Sequence, residues 1–432
     1  MDTWTLAVIA GLVLVLASLS RWIEKSILTG PIVFLSAGLV FGNEALGWIN
    51  LSGGNGTVRL LAEVTLALVL FLDASRINMR VLRRELSVPA RLLGIGLPVT
   101  VILGTLVALM FEEITFGEAF VLAVVLAPTD AALGLDVVTD RRLPSRVQQS
   151  LNVESGLNDG LCVPLLFIAI AVAETEGGAL TGTEAARIVI EEIGYGTLAG
   201  IVAGVVGAGA LGFARRHRLI TQEWAQVIPL AAATFAFGLA APIGGSGFIA
   251  AFVGGLVYGV LRTETRAEER HFLDVTGHTL TAVTFVVFGA IVAGPALAGL
   301  DWRAAVYAVA SLTLIRMLPV SVVLIGTGFR KQSVAFTAWF GPRGLASLVF
   351  AVIVLEEANL PHLDLLVTTM VATIVLSVYA HGFTSKPLTN VYAEWFAAHP
   401  RPPRGDSVPA YEHPWRWPAQ IMSRVGRRGG SG

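Results

Sequence analysis

The sequence predicts an all-α polytopic membrane protein with about 13 transmembrane helices, arranged as two inverted repeats with crossed, discontinuous helices. Three observations predict this fold class: the composition, the distribution of Lys and Arg between loops, and two interrupted apolar runs at matching positions. Hydrophobic residues make up 54% of the 432 residues and charged residues only 14%, and the mean hydropathy is +0.72. An average soluble domain has about 25% charged residues. The chain is long enough for about a dozen membrane spans of ~20 residues each.

Apolar runs follow one another along most of the chain. They fall near residues 4–20, 26–42, 59–75, 89–111, 117–138, 150–173, 187–213, 223–242, 246–261, 272–294, 302–327, 334–356 and 363–384. Residues 1–390 are therefore predicted to form one transmembrane domain of two repeats. The repeats span about 4–173 and 223–384, and a linker helix at 187–213 joins them. The Pro-, Trp- and Arg-rich segment 391–432 is predicted to be a short, disordered cytoplasmic tail.

The positions of Lys and Arg test this division into runs, because cytoplasmic loops of membrane proteins are enriched in both. Nearly all of them fall in the loops after odd-numbered runs and in the tail, whereas the loops on the other side contain only Arg59, Arg187 and Arg303. The C-terminus is therefore predicted in the cytoplasm and the N-terminus outside. Arg316 and Arg343 lie within apolar runs, where an ionisable side chain indicates a functional or paired role.

Runs 5 and 12 are each interrupted near the middle. Pro128 in "FVLAVVLAPTDAALGLDVV" and Gly341-Pro342 in "AFTAWFGPRGLASLVFAV" disfavour a continuous helix. A charged residue stands beside each interruption, Asp130 in the first run and Arg343 in the second. Each interruption falls in the fifth span of its repeat, and the odd offset of seven runs inverts one repeat relative to the other. Such pairs indicate a transporter's binding site; two simple proline kinks are the alternative.

The two charges beside the interruptions have expected partners. Asp130 would begin the second half-helix of run 5, where a negative charge complements the positive end of the helix dipole. Arg343 lies where its side chain could pair with the carbonyl groups that the interruptions leave free. The sequence thus predicts an acid and a base at the two interruptions.

Run 6 opens with "LNVESGLNDG" and carries two carboxylates inside an apolar helix. Ser155 and Asp159 are four residues apart, as are Glu154 and Asn158, so each pair shares a helix face. Together with Thr129 of run 5, these residues offer hard oxygen ligands. Such ligands bind Na⁺ or Li⁺ better than they bind a soft metal. A low dielectric disfavours a lone negative charge, so Asp159 is expected to hold a proton or a metal cation, but not both. Alternating occupancy of this kind is what an exchanger requires.

Other polar residues near these motifs have structural interpretations. Glu154 is expected to pair with the buried Arg316 rather than to bind an ion, and Asn158 is expected to hydrogen-bond run 5. Asp73, in "LVLFLDASRINMR", could line a cytoplasmic funnel or tune the response to pH. It could equally pair with Arg76 at the membrane boundary, and the sequence alone favours neither interpretation.

The motifs "APTDAALG", "NVESGLNDG", "GSGFIAAFVGGL" and "FGPRG" occur in this order. In them the chain resembles the monovalent cation/proton antiporters, specifically the NhaP-type sodium/proton branch with an Asn-Asp pair, over nearly all of its first 390 residues. The resemblance implies 13 helices with inverted repeats, a homodimer, and elevator-like movement of a core domain against a dimerisation domain. It also implies residue roles, namely ion ligation by Thr129, Ser155 and Asp159, support at the helix crossing by Asp130 and Asn158, a Glu154–Arg316 pair, and a broken-helix arginine at Arg343.

These patterns favour a secondary transporter that exchanges Na⁺ or Li⁺ for H⁺ by alternating access, without a cofactor. Because one Asp stands at the Asn158-Asp159 pair, exchange is expected to be one-for-one and electroneutral. A K⁺/H⁺ antiporter of the same fold is the nearest alternative. An intramembrane aspartyl or serine protease and an ion channel are alternatives of other classes, but no histidine lies mid-span near "NVESG".

The expected partners are a monovalent cation, the proton and the lipid bilayer of the plasma (cell inner) membrane, with no nucleic acid. The single cysteine, Cys162, excludes an internal disulfide and a metal site built from several cysteines.

Overall fold

In the computed structural model, all regular secondary structure of the described residues is helical, and no strand occurs among them. The structure describes residues 3–49, 55–77, 87–130, 142–178, 181–262, 267–400 and 405–407, together with residues 133, 137 and 140. The predicted all-α polytopic membrane fold is confirmed. Within the described ranges, seven helices are long and apolar enough to cross a membrane, and five shorter ones are also apolar. The count of about 13 crossings stays a prediction.

The helices are numbered here in chain order. They are α1 Thr3–Ser18, α2 Gly30–Phe41, α3 Asn55–Arg76, α4 Ser87–Ala108, α5 Phe116–Val125, α6 Ser145–Glu176, α7 Gly182–Arg216, α8 Gln222–Ala240, α9 Gly247–Leu261, α10 Ala267–Phe288, α11 Trp302–Val323, α12 Lys331–Trp339, α13 Leu345–Glu357 and α14 Leu363–Ala398. A short helix, Ser20–Lys25, follows α1, and α10 continues through a π-helical turn at Gly289–Ala293 into Gly294–Ala298.

Helices α7 and α9 pack with almost no space between their backbones. Gly196, Gly200 and Gly204 are spaced four apart and share one face of α7, and a Cβ added at any of them would overlap backbone of α9 or of its N-cap residue, Ser246. Small residues at this spacing allow membrane helices to approach closely. The glycines of runs 7 and 9 therefore serve close helix packing.

The interruption predicted in run 5 lies at the end of α5. This helix begins with a capping box, in which Thr115 and Glu118 bind each other's backbone N–H groups, and such a box satisfies donors that the first helical turn leaves free. It ends at Val125, and the chain from Pro128 to Asp130 is not helical. Most of the second half of run 5 lies outside the described residues.

Run 12 is likewise divided. Helix α12 ends at Trp339, a non-helical segment covers residues 340–344, and α13 begins at Leu345. The two interruptions meet, because the backbone N–H of Asp130 donates to the carbonyl oxygen of Pro342 at 2.7 Å. Both interruptions expected from the sequence are therefore present and in contact, although most of run 5 beyond Asp130 lies outside the described residues.

The segment after the last apolar run is more ordered than the sequence predicted. Helix α14 runs on to Ala398, so residues 391–398 are helical, and residues 405–407 form one further helical turn in which Asp406 is buried. The physical reason is aromatic packing: the Tyr392 ring stacks on Phe336 of α12, and its hydroxyl donates to Ser333 at 2.7 Å. The rest of the predicted tail, 401–404 and 408–432, lies outside the described residues.

Candidate functional site

Four polar side chains of α6 lie together where the two interrupted helices cross. They are Glu154, Ser155, Asn158 and Asp159, each between 1% and 8% exposed. The helix is continuous through this stretch, so the four residues project from one and a half turns of it. Burying polar groups in this way costs free energy unless each finds a partner, and their contacts are therefore informative.

Two of these side chains hold the interruption of α5. The Ser155 hydroxyl donates to the backbone carbonyl of Thr129 at 2.8 Å, and the Asn158 Nδ2 donates to the Thr129 hydroxyl at 2.7 Å. Thr129 lies beyond the end of α5, and α6 supplies a donor to its carbonyl. The hydrogen bond expected between Asn158 and run 5 is present.

The acceptor oxygens left over at this place are the most telling feature. Asp159 Oδ1 and Asn158 Oδ1 are buried and accept no hydrogen bond from the described residues. A buried carboxylate oxygen without a donor is costly, so it calls for a proton or a cation. The structure joins Thr129 to Ser155 directly, and Asp159 follows one helical turn after Ser155.

Asp130 contacts the start of α13, a helix that the sequence did not suggest as its partner. Its Oδ2 accepts a hydrogen bond at 3.1 Å from the backbone N–H of Leu345, the first residue of α13. The carboxylate therefore complements the positive end of α13, whereas the start of its own second half-helix lies outside the described residues. Gly344 allows this approach, because a Cβ there would overlap the Asp130 carboxylate.

Arg343 is fully buried in the second interruption. Its Nη1 donates to the Gly341 carbonyl at 2.6 Å and its Nη2 to the Ser311 carbonyl of α11 at 3.1 Å. The arginine thus pairs with free carbonyl groups beside the interruption, as its position in the sequence indicated.

Glu154 and Arg316 form a buried, two-pronged ion pair. The Nη1–Oε1 distance is 2.5 Å and the Nη2–Oε2 distance is 2.9 Å, and bidentate pairing of this kind combines charge with defined geometry. The guanidinium lies against Gly341, where a Cβ would overlap it. The two glycines of "FGPRG" therefore have separate tasks: Gly341 makes room for Arg316 and Gly344 for Asp130.

Asp73 makes the ion pair that was one of the two interpretations left open by the sequence. It pairs with Arg76 at 3.5 Å, and it also lies beside α6, where a Cβ added at Gly156 would be 3.8 Å from the Asp73 Cβ. Gly156 directly follows Ser155, so Asp73 is a neighbour of the polar residues of α6. A role in the response to pH stays a prediction.

Sequence reasoning missed two polar residues of α14, Ser377 and His381. The Ser377 hydroxyl accepts from the backbone N–H of Arg343 at 2.7 Å, and the His381 Nε2 lies 3.0 Å from the Trp339 carbonyl. A signal was visible in "VLSVYAHGF", where a serine and a histidine are four residues apart in an apolar run and so share a helix face.

Comparison with known proteins agrees with the resemblance to cation/proton antiporters seen in the sequence. Residues 9–391 match the family model described as "Sodium/hydrogen exchanger, transmembrane". The chain is 29% identical over 421 residues to an "Uncharacterized Na(+)/H(+) exchanger" of Mycobacterium bovis, which covers 87% of this chain and 73% of that protein. It is 23% identical over 352 residues to the K⁺/H⁺ antiporter NhaP2 of Shewanella oneidensis, covering 81% of this chain and 60% of that one.

Among solved structures, the fold is similar to that of the sodium proton antiporter MjNhaP1 from Methanocaldococcus jannaschii at pH 8. The TM-score is 0.74 at 19% sequence identity, and the match covers 90% of this chain and 98% of the other. At this identity the likeness concerns the fold alone.

Proposed function

Since the chain belongs to the sodium/hydrogen exchanger family, and is therefore a multi-pass cation/proton antiporter and not an enzyme, we propose that it exchanges Na⁺ or Li⁺ for H⁺ at Asp159. The cation binds to Asp159, to Ser155 and to Thr129. Asn158 and Asp130 hold the crossing around that cation. Both ions are transported substrates, and no cofactor takes part.

The observation that carries this proposal is the bare carboxylate oxygen of Asp159. It is buried and has no hydrogen-bond donor in the described part of the chain. A proton neutralises it, and so does a small cation with hydroxyl and carbonyl oxygens around it. Because either ion removes the same negative charge, binding of one excludes the other, and this exclusion couples their movements.

The same residues support one-for-one exchange. Asn158, the neighbour of Asp159, is neutral and its Nδ2 is engaged with Thr129. Glu154 is engaged with Arg316. One carboxylate therefore alternates between its two ions, and each cycle moves one positive charge in each direction.

The proposal extends to the assembly and its surroundings. Residues 1–390 form the transmembrane domain, a homodimer forms in the plasma membrane, and the N-terminus lies outside, with the tail in the cytoplasm. A core domain that contains the crossing moves against a dimerisation domain in an elevator-like manner, and Asp73 tunes the response to pH. The distribution of basic residues supports the orientation. The many exposed apolar side chains, such as Leu14, Ile102 and Leu198, support contact with lipid.

The test is proton movement in proteoliposomes driven by imposed Na⁺, Li⁺ or K⁺ gradients. With wild-type protein, the lumen is expected to become acidic when Na⁺ or Li⁺ leaves it and alkaline when either cation enters. Asp159→Asn is expected to abolish both pH changes. Asp301→Asn is the matched control, because Asp301 caps α11 and Asn caps a helix equally well. Retained exchange in Asp159→Asn would move the site elsewhere.

K⁺ is the second candidate cation, because a relative that matches 81% of this chain is named a K⁺/H⁺ antiporter. Proton movement with K⁺ but not with Na⁺ or Li⁺ would favour it. Exchange whose rate follows an imposed membrane potential would contradict the one-for-one stoichiometry.

A further inference from the structure

The second interruption breaks one particular main-chain hydrogen bond of the helix. In a continuous α-helix the N–H of Arg343 would donate to the carbonyl of Trp339, four residues earlier. Here both groups instead contact α14: the N–H donates to Ser377 Oγ at 2.7 Å, and the carbonyl lies 3.0 Å from His381 Nε2. The carbonyl of Trp339 also accepts from Gly341 N–H at 2.8 Å, which leaves one lone pair for the histidine.

Resting on the function proposed above, we propose that Ser377 and His381 are positioning residues that replace this broken bond by a relay. The relay runs from Arg343 N–H to Ser377 Oγ, from the Ser377 hydroxyl to His381 Nδ1, and from His381 Nε2–H to the Trp339 carbonyl. It fixes the two sides of the interruption relative to each other, although no helix connects them.

The directions of the three bonds follow from which groups can donate. A backbone N–H only donates, so Ser377 Oγ accepts from Arg343 and keeps its own proton for another acceptor. His381 Nδ1 lies 3.1 Å from that hydroxyl. Both ring nitrogens also lie 3.0 Å from a carbonyl oxygen, Nε2 from that of Trp339 and Nδ1 from that of Ser377. The Ser377 carbonyl lies inside the continuous helix α14, where the main-chain N–H four residues later can donate to it, so the relay assigns the ring proton to Nε2, which faces Trp339. The relay is complete with a neutral imidazole in its Nε2–H form.

The charged groups around the ring support the neutral form. Arg343 and Arg316 lie on the elements that face α14 at the interruption, and both are buried. An imidazolium would donate to the Ser377 carbonyl, 3.0 Å from Nδ1, but it would add a cation beside two arginines in a dry site. Glu154, the acid nearest to them, is already paired with Arg316.

The relay acts on the ion site through a short chain of contacts. It holds the segment 340–344, whose Pro342 carbonyl accepts from the N–H of Asp130. Asp130 follows Thr129, the residue that Ser155 and Asn158 bind. A displacement of the interruption therefore shifts the oxygen atoms offered to the cation, and it changes the apparent KM for Na⁺ more than the maximal rate.

The first experiment compares amide substitutions in proteoliposomes. Gln places its amide group at the position of Nε2 and Asn only at that of Nδ1, so His381→Gln keeps the donor to Trp339 and His381→Asn loses it. Loss of one such hydrogen bond corresponds to a roughly fivefold rise in KM, expected for His381→Asn and His381→Ala and largely reversed in His381→Gln. Ser385→Ala is the control, because Ser385 is a buried hydroxyl of the same helix without a hydrogen-bond partner in the described chain.

A double-mutant cycle separates a relay from two independent contacts. Ser377→Ala with His381→Ala is expected to raise KM no further than either change alone, because each breaks the same chain of bonds. Multiplying effects, together with no recovery in His381→Gln, would overturn the proposal.

The tautomer gives a readout that does not depend on transport. Nitrogen NMR of histidine-labelled protein in bilayers is expected to show a neutral Nε2–H ring that disappears in His381→Gln. An imidazolium or an Nδ1–H ring would overturn the relay. Wild-type protein that shows this ring but moves no protons with any of the three cations would instead overturn the proposed function and leave the relay standing.

Discussion

Each of the two interruptions is a break in an apolar helix at a proline, but they differ in which buried groups lack a hydrogen-bond partner. Next to Thr129, two buried acceptors, Oδ1 of Asp159 and Oδ1 of Asn158, have no hydrogen-bond partner among the described residues. Next to residues 340–344, two buried donors of the same described part of the chain, Nε of Arg316 and Nε of Arg343, have none. A cation is attracted to unpaired acceptors and repelled by unpaired donors. The difference supports the proposal that the transported ion binds at the first interruption and that the second has a structural role.

The strongest test of the supporting role of the second interruption is Glu154→Gln. Removing one partner of a buried ion pair leaves an uncompensated charge and costs about 3–5 kcal/mol, so the Tm of the purified protein is expected to fall sharply. The double variant Glu154→Gln with Arg316→Met should recover much of this loss. A Glu154→Gln protein that folds normally yet binds no cation would break the comparison, because Glu154 would then belong to the ion site.

A smaller effect is expected at Gly344. Gly344→Ala forces a Cβ into the Asp130 carboxylate, and overpacking of this kind costs about 1–3 kcal/mol. The matched control is Gly238→Ala in α8, where a Cβ meets open space and where alanine is expected to stabilise the helix by about 0.5–1 kcal/mol. Thermal unfolding in detergent measures both changes, and equal Tm values would show that Asp130 is not held at this distance.

The contact between the N-terminal end of α12 and Asp406 adds a dependence on pH. Burial raises the pKa of the Asp406 carboxyl, but hydrogen bonds from Ser333 and Arg330 outweigh it and hold the pKa below its usual value of 3.8. A carboxyl with a lowered pKa stabilises the fold above its unfolded pKa, and this contribution is lost as the pH falls through the folded value. The Tm difference between wild type and Asp406→Asn is therefore expected to be constant at neutral pH and to shrink below about pH 4.

For that measurement Asp140→Asn is a useful second variant. Asp140 also has a lowered pKa, caused first by its hydrogen bond from Arg142, but it lies in a loop and its partner is largely exposed. Exposed pairs contribute little to stability, so a small Tm change is expected here at every pH. A larger loss than in Asp406→Asn would contradict the importance of the α12 contact.

The last prediction concerns Ser155, on the side of the crossing where the ion is proposed to bind. Ser155→Ala removes the donor to the Thr129 carbonyl, which is worth about 1 kcal/mol, and the KM for Na⁺ is expected to rise roughly fivefold. Protein stability should change less than in Glu154→Gln. An unchanged KM would remove Ser155 from the proposed ligands.

The sequence was sufficient for features that depend on local spacing. The interruptions at Pro128 and Gly341-Pro342 follow from proline chemistry, and the shared face of Ser155 and Asp159 follows from helix periodicity. Glu154 with Arg316 was predictable because a buried charge requires an opposite one and few were available. Each of these inferences uses either residues that are near in the chain or the need of a buried charge for a partner of opposite sign.

What the sequence could not supply is the pairing of groups that are far apart in the chain. The partner of Asp130 is the N–H of Leu345, more than 200 residues later, and nothing in its spacing distinguishes that helix end from its own. Ser377 and His381 gave a helical pair, but an apolar run does not reveal which interruption it packs against. The ordered end of α14 was missed because it depends on Tyr392 stacking on an aromatic ring of α12. The composition of the segment, taken alone, predicts a disordered tail.

The main-chain bond between Asp130 and Pro342 restricts where the protein can bend. A hinge at either proline alone would pull that bond apart and expose an amide and a carbonyl in a medium without water. The two interrupted segments are consequently expected to move together as one rigid unit. If the site opens to alternate sides as proposed, the bending then occurs at the boundaries of that unit, in the helices around it rather than at the prolines within it.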